Sequence, residues 1–240
     1  MKVDILAIGI HPDDVELSAS GTLLKHAAAG KTFGLLDLSR GELGTRGTAE
    51  TRRTESATAA KILGAAFRET LDVPDGLFVV EPEQWMKIVR VLRWCQPEVV
   101  ICNAPDDRHP DHGRAARLAL EACFYSGLEK IQTEWKDGSK QSKWRPKSVF
   151  HYVQDKQLTP DFIVDISPYH ARKMEAILAY KTQFYNPDED QEASTPISGR
   201  DFYEFLFAQD RVFGRPIQAE FAEGFICSRT PGVESLFDLK

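Results

Sequence analysis

The sequence predicts an α/β fold: a Rossmann-like, doubly wound, mostly parallel sheet with helices on both faces. Three observations carry that expectation. Val3 to Gly9 is a short apolar run that stops abruptly at His11-Pro12-Asp13-Asp14, as a buried strand does when it delivers polar groups from its C-terminal end. Pro12 cannot continue a ladder and marks where the loop begins. A helical pattern and a second apolar run follow within the length of one βαβ unit, the signature of parallel pairing. A later apolar run, Pro97 to Asn103, again ends in a polar loop, Asp106-Asp107-Arg108-His109-Pro110-Asp111-His112.

The elements follow in order. Leu17 to Ala29 reads as a helix with Leu17, Leu23, Leu24, Ala27 and Ala28 near one face, and Gly30 is placed to end it. Lys31 to Leu38 is the second strand. Ser39 to Thr48 is glycine-rich, a weak phosphate signal by itself, but it lies beyond the carboxyl end of a strand, where ligands of open α/β sheets collect. Thr48 or Thr51 can cap a helix to Leu63, with Gly64 after it. Phe67 to Leu71 is a short strand, and Pro74-Asp75-Gly76 a turn. A helix over 82–95, the strand 97–103 and a helix from Gly113 to Tyr125 complete a Rossmann-like unit over residues 1–126. No Gly-x-Gly-x-x-Gly follows the first strand, so a dinucleotide site loses its main support.

Residues 127–240 are expected to complete the same single domain. The stretch 127–147, rich in lysine and carrying Trp135 and Trp144, reads as a surface excursion. Val149 to Val153 and Phe162 to Ile166 read as strands. Ser167 as cap and Pro168 in the first turn start a helix running to Tyr180. Residues 186–199 read as a mobile loop on composition, Asp201 to Phe213 as a last helix, and Ala219 to Phe225 as an edge strand.

At 240 residues the chain suffices for one sizeable α/β domain. A formal charge of −6 gives no basic footprint for nucleic acid and disfavours anionic membrane surfaces. No apolar run approaches the roughly 20 residues that span a bilayer, and the N-terminus shows no leader pattern. Cys95, Cys102, Cys123 and Cys227 are widely spaced with no Cys-x-x-Cys pair, which suits reduced thiols in a cytoplasmic protein.

The chemistry concentrates in the two strand ends. His11, Asp14 and His112 are the expected metal ligands; they converge if their strands are neighbours at a switch point. Three nitrogen and oxygen ligands leave one position open on a tetrahedral zinc, the pattern of a catalytic site. Ferrous iron suits the same ligands. Asp13, with its side chain free, would take a proton from water. His109 would protonate a leaving amine or stabilise an oxyanion, and Asp111 would hold His109 in orientation. Either half of the constellation alone is ordinary loop chemistry. Two similar strands that each end in a His-Pro-Asp cluster are hard to explain as caps and turns.

His11-Pro12-Asp13-Asp14-Val15-Glu16 with His109-Pro110-Asp111-His112 resembles the paired motifs of the N-acetylglucosaminyl (LmbE-like, PIG-L) deacetylase superfamily. That resemblance implies zinc, one per chain, on His11, Asp14 and His112, with Asp13 as general base and His109 assisting charge stabilisation or proton transfer. Arg40-Gly41-Glu42-Leu43-Gly44-Thr45, Arg52-x-x-Glu55, Pro74-Asp75-Gly76, Thr182-Gln183-Phe184 and Ala222-Glu223-Gly224-Phe225 resemble the branch that makes bacillithiol, which removes acetate from an N-acetylglucosaminyl malate. From the resemblance, Arg52 would grip the sugar or its anionic aglycone, Asp75 would accept sugar hydroxyl hydrogen bonds, and Arg145 would reach the oxyanion or product acetate. Their plain readings are a helix-start arginine paired with Glu55 or Glu50, a turn residue, and a solvated arginine in a basic stretch. Tyr203, beside Phe202, is given no role. The resemblance also implies a homo-oligomer such as a hexamer.

The implied reaction is hydrolysis of the acetamide of an N-acetylglucosamine conjugate, with chitobiose or an inositol conjugate as alternative substrates. A metallophosphoesterase would need a second metal and more ligands. A non-catalytic nucleotide-binding module would need a phosphate loop where His-Pro-Asp-Asp stands.

Overall fold

A computed structural model describes residues 1–185 and 193–239. The chain runs β1 (Ile5–Gly9), α1 (Asp14–Ala28), β2 (Phe33–Asp37), α2 (Ala49–Leu63), β3 (Phe67–Thr70), α3 (Pro82–Cys95), β4 (Val99–Cys102), α4 (Pro110–Ser126), β5 (Ser148–Tyr152), β6 (Phe162–Asp165), α5 (His170–Ile177), α6 (Arg200–Gly214) and β7 (Ala222–Cys227). The strands form one mixed sheet in the order β3-β2-β1-β4-β5-β7-β6. The first five strands in that order are parallel to one another, and β7 runs antiparallel to both β5 and β6. This is the α/β class the apolar runs predict.

The chain winds outward from β1 through β2 to β3 and then returns to β4 on the other side of β1. The crevice between the carboxyl ends of β1 and β4 is therefore the topological switch point. One core cluster packs α3 and α4 on the sheet through Ile88, Leu92, Leu118 and Ala119; a second packs α1, α2, α5 and α6 through Leu23, Ala59, Ile177 and Leu206. Thr48 caps α2 in a reciprocal pair with Thr51, and Gly64 ends it at φ 76°, where a side chain would be strained.

Several boundaries differ from the sequence reading, each for a local reason. α1 starts at Asp14, three residues early, because Asp13 takes φ 125° and turns the chain straight into the helix. α4 starts at Pro110, not Gly113: His109 is its N-cap and its ring accepts from the Asp111 N–H, so Asp111 and His112 ride on a rigid first turn. Ser167 does not cap a long helix. Its hydroxyl donates to Asp165 and accepts from the backbone N–H groups of Glu220 and Phe221, and a 3-10 turn (Ser167–Tyr169) precedes the short α5. β7 is not an edge strand; β6 takes the edge and β7 lies inside. The stretch 127–147 is tied down as well: Arg93 donates to the carbonyls of Ser126, Leu128 and Ile131, and Trp135 stacks on Trp94 at 4.5 Å. The loop expected over 186–199 lies outside the described residues up to 192. Among the described residues no helix is long and apolar enough to cross a membrane.

The C-terminal half is fastened to α1 by a buried ion cluster. Lys173 Nζ lies 2.8 Å from Asp210 Oδ2 and 3.0 Å from Glu223 Oε1, and Glu223 accepts from the backbone N–H groups of Gly21 and Thr22. Truncating Lys173 leaves two buried carboxylates without their cation. Lys173→Ala is expected to lower stability by about 3–5 kcal/mol, read from urea unfolding; a loss within surface-mutation scatter would show that the cluster holds nothing together.

Candidate active site

The parallel register of β1 on β4 sets the two histidine motifs side by side. Gly9 is required at the first strand end: a Cβ there would stand 2.9 Å from the Asp14 Cβ and 3.0 Å from the His11 carbonyl. Asp13 holds φ 125°, a conformation costly for a side chain that persists only where the surroundings impose it. That backbone turn sends the carboxylates of Asp13 and Asp14 to different partners.

Asp14 lies between two imidazoles. His112 Nε2 is 3.2 Å from Asp14 Oδ1, and His11 Nδ1 is 3.9 Å from Asp14 Oδ2. The far nitrogen of each ring is held by another carboxylate: Asp75 Oδ1 accepts from His11 Nε2 at 2.9 Å, with Asp111 Oδ2 at 3.6 Å, and Asp107 Oδ2 accepts from His112 Nδ1 at 2.5 Å. This fixes which nitrogen of each ring faces Asp14, the pattern of outer carboxylates orienting metal-binding histidines. His109 stacks over His112 at 5.1 Å. Its Nδ1 accepts from the Asp111 N–H at 3.3 Å, so the neutral ring carries its proton on Nε2. One donor atom each from His11, His109 and His112 lie within 4.8 Å of one another, and a second such group is His11, Asp75 and Asp111.

The electrostatics separate the groups. Burial works against a charged His11, but hydrogen bonds to Asp111 and Asp75 and the charges of Asp14 and Asp75 outweigh it and push it up to about 10. His112 rises to about 9 against the same desolvation, through Asp14 and Asp107. Burial alone would raise Asp14; the adjacent His112 and His11 hold it well below the usual carboxylate range. His109 is lowered by burial and by its two charged neighbours. Burial pushes Asp13 up to about 7, against the pull of Arg52.

A cleft of about 400 Å³ opens over these groups, within the usual range for small-molecule sites. Its lining combines the polar His11, Asp13, Asp14, His109 and His112 with the apolar Leu17, Ile197, Phe202, Phe205 and Leu206.

Comparison with known proteins is consistent with this geometry. The family model PIG-L, described as GlcNAc-PI de-N-acetylase, matches residues 6–123. A conserved protein of Thermus thermophilus, TT1542, has a solved structure with a TM-score of 0.85, 36% identity and 98% coverage of both chains. The chain belongs to the PIG-L family. The diacetylchitobiose deacetylase of Thermococcus kodakarensis is 29% identical over 194 residues, 75% of this chain and 70% of that protein. The 4-oxalmesaconate hydratase of Pseudomonas putida is 28% identical over 187 residues, 72% of this chain and 70% of that protein.

In this PIG-L chain the residues present fit a divalent cation. Four carboxylates, Asp14, Asp75, Asp107 and Asp111, surround two imidazoles, and the rings themselves take up protons to balance the charge. A cation bound to neutral imidazoles would serve the same balance.

Not every expected role agrees with the geometry. Arg52 is buried, not an exposed helix-start residue: Nη2 donates to Asp13 Oδ2 at 2.8 Å and to the Pro12 carbonyl at 2.6 Å, and the side chain lines the cleft. Glu55, its alternative partner, instead accepts from the N–H and hydroxyl of Thr182. One oxygen of Asp75 accepts from His11 and the other from the Leu43 N–H, and the residue also lines the cleft. The Asp111 carboxylate does not orient His109; it accepts from the Gly76 N–H and Arg114 and faces His11, and only its backbone N–H meets the His109 ring. Arg145 is exposed at the opposite, N-terminal end of the strands, where it donates to the Phe124 carbonyl and lies 4.6 Å over that ring.

Three residues of the site were not singled out by sequence. Asn103 is fully buried where β4 ends, and a polar amide closing an apolar run was the available signal. Gln154 needs the β4–β5 pairing to acquire meaning. Asp107 is indistinguishable by sequence from its exposed neighbour Asp106.

Arg52 and Arg145 make opposite predictions. Arg52→Ala strands a buried carboxylate and is expected to cost about 3 kcal/mol or more, while Arg145→Ala should cost less than about 1 kcal/mol. Thermal unfolding of the two variants checks this; equal effects would overturn the placement of Arg52.

Proposed function

We propose that this PIG-L protein is a metal-dependent carbohydrate N-deacetylase, hydrolysing the acetamide of an N-acetylglucosamine conjugate to acetate and the free amino sugar. The observation that carries the reading is Asp14 facing two imidazoles whose far nitrogens are held by other carboxylates, beside a strained, buried Asp13 in the wall of the cleft. His11 through Nδ1, His112 through Nε2 and Asp14 would hold the ion, zinc in the first instance and ferrous iron as the alternative, one per chain. Bound there, a divalent cation supplies Lewis-acid polarisation of the carbonyl and a water of lowered pKa.

The chain's own groups account for the remaining steps. Asp13, with Oδ2 engaged by Arg52, accepts the water proton on its other oxygen. Its pKa of about 7 lets it take and return a proton near neutrality. Arg52 thus positions the base. His109, neutral with its proton on Nε2, donates a hydrogen bond to the carbonyl oxygen as charge builds there, and Asp13 returns the water proton to the leaving amine. The apolar wall of Leu17, Phe202 and Leu206 excludes water from the reacting bond.

For the substrate we favour N-acetylglucosaminyl malate, the substrate of the bacillithiol branch that the loop Arg40 to Thr45 resembles. Leu43 of that loop is hydrogen-bonded to Asp75 at the cleft, and Arg108 stands at its exposed rim for an anionic aglycone. Diacetylchitobiose and a glucosaminyl inositol are the alternatives. We further propose a cytoplasmic homo-oligomer, a hexamer by resemblance, with no nucleic-acid or membrane partner; the exposed Leu236 and Phe237 supply apolar surface for assembly.

Acetate release is to be measured on N-acetylglucosaminyl malate, diacetylchitobiose and free N-acetylglucosamine, with metal analysis. The expected result is turnover that chelation abolishes, fastest on the malate conjugate. Metal-independent turnover, or hydration of an unsaturated keto acid with no acetate released, would sink the proposal. Asp13→Ala should keep the metal and lose activity by about a hundredfold or more, whereas His112→Ala should lose the metal; the reverse pattern would exchange their roles.

A further inference from the structure

Asp14 is held by more than its two imidazoles. Asn103 Nδ2 donates to Asp14 Oδ2 at 2.9 Å, and Gln154 Nε2 donates to Asp14 Oδ1 at 3.2 Å. The His11 N–H adds a third donor, to Oδ2 at 2.9 Å. The two amides are also joined to each other, Asn103 Nδ2 donating to Gln154 Oε1 at 3.0 Å.

Backbone donors fix the orientation of both amides. Asn103 Oδ1 accepts from the Ile10 N–H at 2.9 Å, so its NH₂ must face Asp14. Gln154 Oε1 accepts from the Ala104 N–H at 3.1 Å, which turns its NH₂ to the other Asp14 oxygen. A flip of either amide would set a donor against a backbone N–H and an oxygen against the carboxylate, in a region where Asn103 is 0% and Gln154 5% exposed. Gln154 is itself anchored to α6 by Gln209, which donates to its carbonyl at 2.6 Å.

We propose that Asn103 and Gln154 are positioning residues that set the plane and rotation of the Asp14 carboxylate for a divalent cation, an inference that rests on the metal-dependent reading above. Each oxygen receives one amide N–H in a fixed direction, so rotation about the Cβ–Cγ bond breaks hydrogen bonds at both. Amides do this without adding a negative charge beside Asp14, which a carboxylate at either position would do. The brace ties the ends of β1, β4 and β5 to one ligand, so the relative placement of three strands is read out at the metal position.

The test is titration of the metal-stripped, full-length protein with Zn²⁺ against a chromophoric chelator, and with Co²⁺ followed by its visible absorption. Wild type is compared with Gln154→Ala and with Gln154→Met, which keeps the side-chain volume and removes the amide. Metal-free melting temperatures check that both variants are folded. The expected result is Zn²⁺ affinity weakened about 10–100-fold in both variants, with an altered Co²⁺ spectrum and a fall in kcat larger than any rise in KM. Affinity and Co²⁺ spectrum indistinguishable from wild type in the folded variants would overturn the brace while leaving the metal-dependent reading intact. A wild-type protein that binds neither ion would overturn that reading, and the brace with it.

Discussion

The parallel pairing of β1 with β4 is the constraint on which the candidate site depends. Each strand ends in a tight polar turn, and neither turn alone offers more than a histidine and an acid or two. Pairing in register brings His11 and His112 to opposite sides of Asp14. The connections work to the same end, because the chain leaves in opposite directions on either side of β1 and opens a crevice there. Helix α4 makes the second motif rigid by starting within it, at Pro110.

Charge balance governs the next layer. A cluster of buried carboxylates about two imidazoles is tolerable only because every acid has an assigned partner: Asp75 and Asp111 on His11, Asp107 on His112, Asp13 on Arg52. Removing a cation from such a cluster leaves an uncompensated charge in a poorly solvated place. The same logic recurs away from the cleft, where Arg68 bridges Glu16 and Asp37 and Lys173 bridges Asp210 and Glu223. Buried ion pairs, as much as apolar packing, define how the second half of the chain seats on α1.

The architecture was legible in sequence wherever an apolar run stopped at a punctuating residue. The runs ending at His11-Pro12 and Asn103 located β1 and β4, and Thr48 with Gly64 bounded α2 correctly. The errors arose where a tertiary contact outweighed local pattern. Ser167 looks like a cap but serves the neighbouring strand, and β7 reads as an edge until β6 pairs outside it. In the site, the two imidazoles beside Asp14 were readable because they lie in two short motifs, whereas Asn103 and Gln154, which also meet Asp14, lie outside them. Arg52, Asp75 and Asp111 were recognisable as functional candidates, yet the partners Asp13, His11 and Gly76 that they meet lie 39, 64 and 35 residues away respectively, and spacing cannot encode which oxygen faces which nitrogen. Arg145 shows the limit plainly, since only the strand direction reveals that it sits at the wrong end of the sheet.

The spread of the Asp14 contacts along the chain also has a bearing on biosynthesis. The Ile10 amide meets Asn103 across 93 positions, and Asp14 meets Gln154 across 140. A nascent chain exposing only its first motif therefore holds a histidine and two aspartates without the Asn103 and Gln154 donors that orient Asp14. The donors around Asp14 are complete only when β5 is paired and docked, so the arrangement of that carboxylate reports on completed, long-range strand pairing.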